Sequence, residues 1–202
     1  MNRRPAHTVR AAAGDEWRRL GHLLGAAFQD DPIWEWVTPD PVRRSRHLGR
    51  AFGQLIRRRT RAGTVWTTTD LAGAAMWAEP GDWKETPAEM AHLALPMARA
   101  IGLRRIRSRT AALSAMERHH PTVPHWYLAI LGADPARRGQ GIGGALMEPM
   151  VQRCDEEGMP AYLESSKEQN LAFYHRHGFE VTGQFQLASD CPPLWTMWRD
   201  PR

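Results

Sequence analysis

Two cysteines in 202 residues, Cys154 and Cys191, are too few for a disulfide framework, and neither sits in a C-x-x-C or Cys/His spacing that would hold zinc. No metal is expected, and a reducing, cytoplasmic setting fits best. Lysine is nearly missing as well: Lys84 and Lys167 are the only two among 27 basic residues, so arginine carries the formal net charge of +5. No stretch approaches the ~18 consecutive apolar residues of a membrane span. Arg3 and Arg4 near the start have no apolar run behind them, so no export signal is read. Internal repeats and low-complexity tracts are lacking too. With 42% apolar residues the chain fills a real core, which excludes disordered and fibrous classes. Its length suits one domain, at roughly 100–200 residues per domain, with an elaborated subregion.

Arginine together with abundant alanine is what a GC-rich coding sequence supplies, so part of the basic balance need have no functional meaning. A positive surface would otherwise draw in an anionic partner, a nucleotide cofactor or a nucleic acid. The sign of the charge does not choose between these. No module interleaving aromatic and basic residues backs nucleic-acid binding.

The apolar pattern alternates strands and helices. A strand near 7–11 precedes a helix capped by Asp15, with Trp17, Leu20, Leu23, Leu24 and Phe28 at three- and four-residue spacing. Residues 30–41, punctuated by prolines and carrying Trp34 and Trp36, read as a structured loop. A helix from Val42 to about Arg61 turns Leu48, Phe52, Leu55 and Ile56 inward. Strands follow at 64–69 and 73–79. Residues 80–124 are helical but interrupted by prolines, giving two or three short helices. The near-continuous apolar run from Trp126 to Ala133 reads as a strand buried on both faces. A glycine-rich turn and a helix come next. A strand at 161–165, a helix at 168–177, and strands at 179–185 and 194–198 complete a mixed α/β pattern around a central sheet.

The sharpest feature is the passage from that buried strand through Arg138, Gly139, Gln140, Gly141, Ile142 and Gly143 into a helix. Glycines leave backbone N–H groups uncovered, and a helix start adds about half a positive charge, so the turn is an anion cradle. Gly139, Gly141 and Gly144 also satisfy G-x-G-x-x-G. A dinucleotide fold, however, places that turn in its first βαβ unit with an acidic residue about 20 positions on. Here the turn comes two-thirds along the chain. A P-loop is excluded because no Gly-Lys-Ser/Thr follows.

Arg138-x-x-Gly141-x-Gly143 after a strand resembles the Q/R-x-x-G-x-G/A signature of the GNAT superfamily of N-acetyltransferases. Asn170, Tyr174, Gly178 and Phe179 resemble the N-x-x-x-Y-x-x-x-G-F pattern in the second half of that family's cofactor site. Trp126 to Ala129, Leu163 to Ser166, Leu194 to Trp198 and the Ala27-Phe28-x-Asp30-Asp31-Pro32 stretch are similar to the puromycin N-acetyltransferase branch. The likeness is strongest from Trp126 onward, moderate over 1–80 and weak over 81–124.

The resemblance implies one GNAT domain over 1–202, with a central mixed sheet of about seven strands flanked by helices and a helical acceptor-side insertion at about 81–124. It implies acetyl-coenzyme A (acetyl-CoA) as the acetyl donor and a small primary amine as acceptor, such as a puromycin-like compound or another amino antibiotic or metabolite. Attack would be direct, in a ternary complex, by a monomer or homodimer. In the family's geometry two parallel strands splay apart. Leu131, Gly132 and Ala133 would then pair with the pantetheine, and Arg137, Arg138, Gly139, Gln140, Gly141, Ile142, Gly143 and Gly144 would wrap the pyrophosphate. Asn170 would reach the cofactor, and Tyr174 would contact it and protonate the departing thiolate; otherwise Asn170 bonds locally and Tyr174 packs in the core.

Many family members carry a glutamate base on the strand before the loop, where this chain has His125, Trp126 and Tyr127. Glu164 on the next strand is the substitute, since burial can raise a glutamate's pKa toward the working range. A salt-bridged structural carboxylate, His125 as base, or a chain of water molecules are the alternatives. Trp34 and Trp36 would hold an aromatic or hydrophobic amine, and Asp31 beside them would attract its cation. A non-catalytic acyl-CoA sensor and a peptide or protein amine acetyltransferase remain rival readings.

Overall fold

The computed structural model describes residues 7–202; the reading of Arg3 and Arg4 lies outside them. The elements are β1 (Val9–Ala11), α1 (Trp17–Ala27), α2 (Pro32–Val37), α3 (Pro41–Arg61), β2 (Val65–Thr68), β3 (Gly73–Ala78), α4 (Pro87–Ile101), α5 (Ile106–Ala115), β4 (Trp126–Ala133), α6 (Ile142–Glu156), β5 (Ala161–Ser165), α7 (Leu171–His175), β6 (Glu180–Phe185) and β7 (Leu194–Arg199). One seven-stranded sheet runs in the order β1-β2-β3-β4-β5-β7-β6. Among the described residues only β4 and β5 pair in parallel, and the other neighbouring pairs are antiparallel.

Alternation along the strands feeds a layer on each face. Ala75 and Trp77 join Ile142, Leu146, Met147 and Met150 of α6, while Ala74 and Met76 point to Leu20 and Leu24 of α1 and Leu48, Phe52 and Ile56 of α3. Full burial of one such side chain contributes about 1.5–3 kcal/mol. A third apolar cluster joins α2, α4 and α5 to Leu187, Cys191 and Leu194.

Helices α1 and α3 cross at glycine. A β-carbon on Gly21 would lie 2.5 Å from the Gly53 backbone, and one on Gly25 would lie 2.6 Å from that of Gly49. Only residues without side chains allow this approach.

Three local readings are corrected. Residues 32–37 form α2 rather than loop: Asp31 accepts the N–H groups of Ile33 and Trp34, and Pro32 occupies the first turn, where its missing N–H costs nothing. Asp40 and Pro41 start α3 in the same way, one residue before Val42. Helix α1 lacks a side-chain cap, and Glu16, not Asp15, stands at its N-cap position; the Glu16 carboxylate instead accepts the Ala13 N–H and pairs with Arg10.

The α1–α3 contact predicts that Gly21→Ala lowers the urea unfolding free energy by about 1–3 kcal/mol through overpacking, despite alanine's better helix propensity. Gly14→Ala, where the new carbon has its nearest neighbour at 3.7 Å, stays within about 0.5 kcal/mol. Equal midpoints for the two variants would refute the close crossing.

Candidate active site

Strands β4 and β5 pair only at Trp126–Ala161, Tyr127–Tyr162 and Leu128–Leu163, although β4 continues to Ala133 and β5 to Ser165. On its other side β4 stays paired with β3 as far as Ala133, but the register shifts: Trp77 faces Leu128 while Met76 faces Ile130. Ala129 is therefore an extra residue, a β-bulge, and a bulge bends and twists its strand. It also reverses the facing. Trp126 and Leu128 pack with the α6 layer, Ala129 and Ile130 with the α1–α3 layer, and Leu131 and Ala133 with the α6 layer again.

The strands part into a cleft of about 310 Å³. Leu131, Gly132 and Ala133 line one edge, Glu164 to Lys167 the other, and Arg138, Asn170, Tyr174 and Asp31 also face it. The loop after β4 reaches α6 through Gly141, which stands at the N-cap with φ +90°, a left-handed conformation that disfavours any side chain. No side chain caps that end, so the N–H groups of Ile142, Gly143 and Gly144, which have no acceptor inside the helix, are presented by backbone alone. The Ile142 side chain itself is buried in the core. Arg137 pairs with Asp70 across the loop.

Asp30 holds Arg138 through two hydrogen bonds of 2.8 and 3.0 Å and Lys167 through one of 2.9 Å. The Arg138 bond is the main reason its carboxyl is held down at about 2, with Lys167 adding to it. Asp31 serves a structural purpose. One oxygen caps α2, the other accepts the Ser166 hydroxyl, and burial pushes its pKa up. It faces the cleft, and the Lys167 charge only partly offsets the effect of burial. Tyr174 is buried, and burial first, then the Asp31 charge, push its phenol above its ordinary value, so it stays a proton donor at neutral pH.

A second cavity, of about 420 Å³, lies under α3, α4 and α5. Its wall is largely apolar, with Trp34, Phe52, Leu55, Met76, Leu93 and Met97 among its residues. Trp36 does not line it. That ring packs in the third apolar cluster with the Arg109 guanidinium 3.5 Å above its centroid. Three residues belong to both spaces: Ala129, Ile130 and Glu164. The Glu164 side chain is 4% exposed, and its Oε1 has no hydrogen-bond partner among the described residues. A buried carboxylate oxygen without a donor is costly as structure alone.

Sequence reasoning missed Lys167, Ser166 and His120. Lys167 did carry a signal, being one of only two lysines in an arginine-rich chain. His120, beside Glu164, carried none.

Comparison with known proteins agrees with this geometry. The family model described as Acetyltransferase (GNAT) family matches residues 26–179, and the chain belongs to that family. It is an N-acetyltransferase, of a class that uses acetyl-CoA as co-substrate. An uncharacterized N-acetyltransferase of Schizosaccharomyces pombe is 27% identical over 201 residues, covering 92% of this chain and 80% of that protein. A Corynebacterium glutamicum structure described as histone acetyltransferase HPA2 and related acetyltransferase superposes with a TM-score of 0.71 at 25% identity, covering 98% of this chain and 97% of the other. A Drosophila melanogaster polyamine N-acetyltransferase that forms N-acetylagmatine shares the fold at a TM-score of 0.61 and 17% identity, covering 96% and 99%.

The Asp30 bridge has a pH signature. A carboxylate whose folded pKa is depressed from 3.8 to about 2 stabilises the fold above pH ~4 and loses that contribution as pH falls through about 2. Wild type should therefore exceed Asp30→Asn in urea midpoint at pH 6, by a modest amount because the pair is half exposed. The gap should close between pH 4 and 2, and a constant gap would rule the bridge out.

Proposed function

We propose that this enzyme moves the acetyl group of acetyl-CoA to the primary amine of a small molecule with an apolar body, by direct attack in a ternary complex. The observation that carries this reading is the position of Glu164, buried at the seam of a backbone-edged cleft and an apolar cavity with one oxygen unpartnered. The residues suit the donor. Unpaired edges at 131–133 and 164–166 match the amides of a pantetheine arm, which would add as a strand. The N–H groups at the start of α6 suit a pyrophosphate, with Arg137, Arg138, Gly139, Gln140 and Gly141 forming the loop around it and Asn170 beside the cleft.

A protonated amine has no lone pair to attack with. Glu164 takes one proton from the incoming ammonium, the free amine adds to the thioester carbonyl, and a tetrahedral oxyanion forms. Its collapse breaks the C–S bond. A second nitrogen proton leaves as the amide forms, and the thiolate takes one from the Tyr174 phenol, which the released proton restores. Overall one amide, one thiol and one proton result. Cys154 offers no covalent route: it is buried in the core, and burial pushes its thiol up to about 12.

The acceptor's body would lie against Trp34, Phe52, Leu55 and Met97, and Glu85, which lines the same cavity, would favour its cation. Asp31, committed to α2 and Ser166, is replaced in that role. The largely apolar wall favours an acceptor with an apolar body, and two free, buried cysteines suit a cytoplasmic enzyme.

Free-thiol release from acetyl-CoA, measured against aminonucleosides, arylalkylamines, polyamines, aminoglycosides and lysine peptides, tests the reading. Apolar primary amines should be acetylated best. Release with peptides alone, or with no amine, would sink it. Glu164→Gln should lower kcat/KM by about 10²–10⁴-fold at pH 7, with partial recovery at high pH where bulk water deprotonates the amine. Tyr174→Phe should lower kcat with acetyl-CoA binding preserved; an unchanged kcat removes Tyr174 as the acid.

A further inference from the structure

His120 lies behind Glu164, on the loop between α5 and β4. Its Nδ1 is 3.8 Å from Glu164 Oε1 and its Nε2 is 3.0 Å from His125 Nε2, while His125 Nδ1 is 2.7 Å from the Val123 carbonyl. Both rings are buried. These contacts fix the protons. A carbonyl only accepts, so His125 Nδ1 carries its hydrogen. Burial disfavours the charged form of His125, which leaves a bare, accepting Nε2. Two bare nitrogens do not approach to 3.0 Å without a hydrogen between them, so His120 Nε2 is the donor. With its hydrogen on Nε2, the neutral form of His120 turns an unprotonated Nδ1 toward Glu164 Oε1, which accepts no hydrogen bond among the described residues.

We propose that His120 is the proton reservoir of the catalytic carboxylate: Glu164 takes the amine's proton and hands it to His120 Nδ1, and His125 holds His120 in the receptive tautomer. This rests on the acetyl-transfer reading of Glu164. The transfer breaks the Glu164 O–H bond, forms the His120 Nδ1–H bond and converts a neutral pair into a carboxylate–imidazolium pair. The carboxylate is restored before the tetrahedral intermediate collapses, and the imidazolium passes its proton to water once product has left. At 3.8 Å the pair is within ion-pair range but beyond a normal hydrogen bond, so the carboxyl group must swing toward the ring for each transfer.

The surroundings favour a transient imidazolium. The Trp83 ring stacks on His120 with centroids 3.7 Å apart, and Tyr127 and Tyr162 meet it edge-on. An aromatic face stabilises a cation. Burial, then the Glu164 charge, then hydrogen bonding toward the Glu164 carboxylate push both phenols well above their ordinary value, so both stay protonated and neither takes up the proton. Of the remaining charged groups, Glu85, Glu89 and Glu117 line the same cavity as His120 and favour the imidazolium, while Arg59 on that wall opposes it; Glu89 is paired with Arg58, and Glu117 with Lys84 above Trp83.

Nitrogen-15 NMR of histidine-labelled protein tests the arrangement without turnover. At high pH His120 should carry its hydrogen on Nε2 and His125 on Nδ1. In kinetics, His120→Gln should lower kcat by about 10–100-fold with KM for acetyl-CoA unchanged, flatten the pH–rate profile near neutrality, and leave the urea midpoint close to wild type. Added imidazole should partly restore His120→Ala. An Nδ1–H tautomer at His120 or an unaltered pH profile in His120→Gln overturns the proposal. Absence of thiol release by the wild-type enzyme would instead overturn the acetyl-transfer reading, with the NMR result standing apart from it.

Discussion

The end of β4–β5 pairing at Leu128 and Leu163 is the constraint on which the rest of the site depends. Parallel strands normally continue their ladder until one of them ends, because unpaired backbone groups in a protein interior are costly. Here β4 stays tied to β3 while the Ala129 bulge re-aims it, so the strands part in the middle of the sheet. The parting exposes edges that face a cleft. It also brings Glu164, one residue past the last pair, to the point where that cleft meets the cavity under α3, α4 and α5.

Charge is arranged around the same seam. Many arginines that composition alone attributes to coding bias have structural partners. Arg58 and Arg59 hold Asp82, with Arg58 also on Glu89; Arg199 reaches Asp155; and Arg44 satisfies the Gln29 and Thr38 carbonyls around α2. These pairs tie loops to helices. Arg138 and Lys167 converge on Asp30 at the cleft itself. A positive net charge here reflects a set of mostly local attachments together with one cationic corner, and it needs no nucleic acid.

The alternation of strands and helices was legible because each long element carried its own period, and the Arg138–Gly144 turn because few backbones need glycine at that density. Helix α2 was not, since six residues span under two turns and show no periodicity; the Asp31–Pro32 pair was its one local signature. The bulge was hidden for a different reason. An apolar run such as 126–133 has no polar beat to slip, so a reversal of facing leaves no trace in the letters. Glu164 could be named from its strand, but its meeting with His120 joins β5 to a loop 44 positions earlier, and no local rule reports that. Trp36 and Asp31 show the converse: composition marked them as recognition groups, yet one ring is packed beneath Arg109 and one carboxylate caps a helix.

The glycine crossing of α1 and α3 bears on both spaces. Helix α1 delivers Ala27 and, just past its end, Phe28 to the cleft, while α3 delivers Ala51, Phe52 and Leu55 to the cavity. Backbone radii rather than side-chain volumes set the spacing of the two helices at Gly21–Gly53 and Gly25–Gly49. The crossing therefore holds at main-chain distance, and the Phe28–Phe52 ring contact, with centroids 5.0 Å apart, is the point where a change in the cavity lining would reach the cleft.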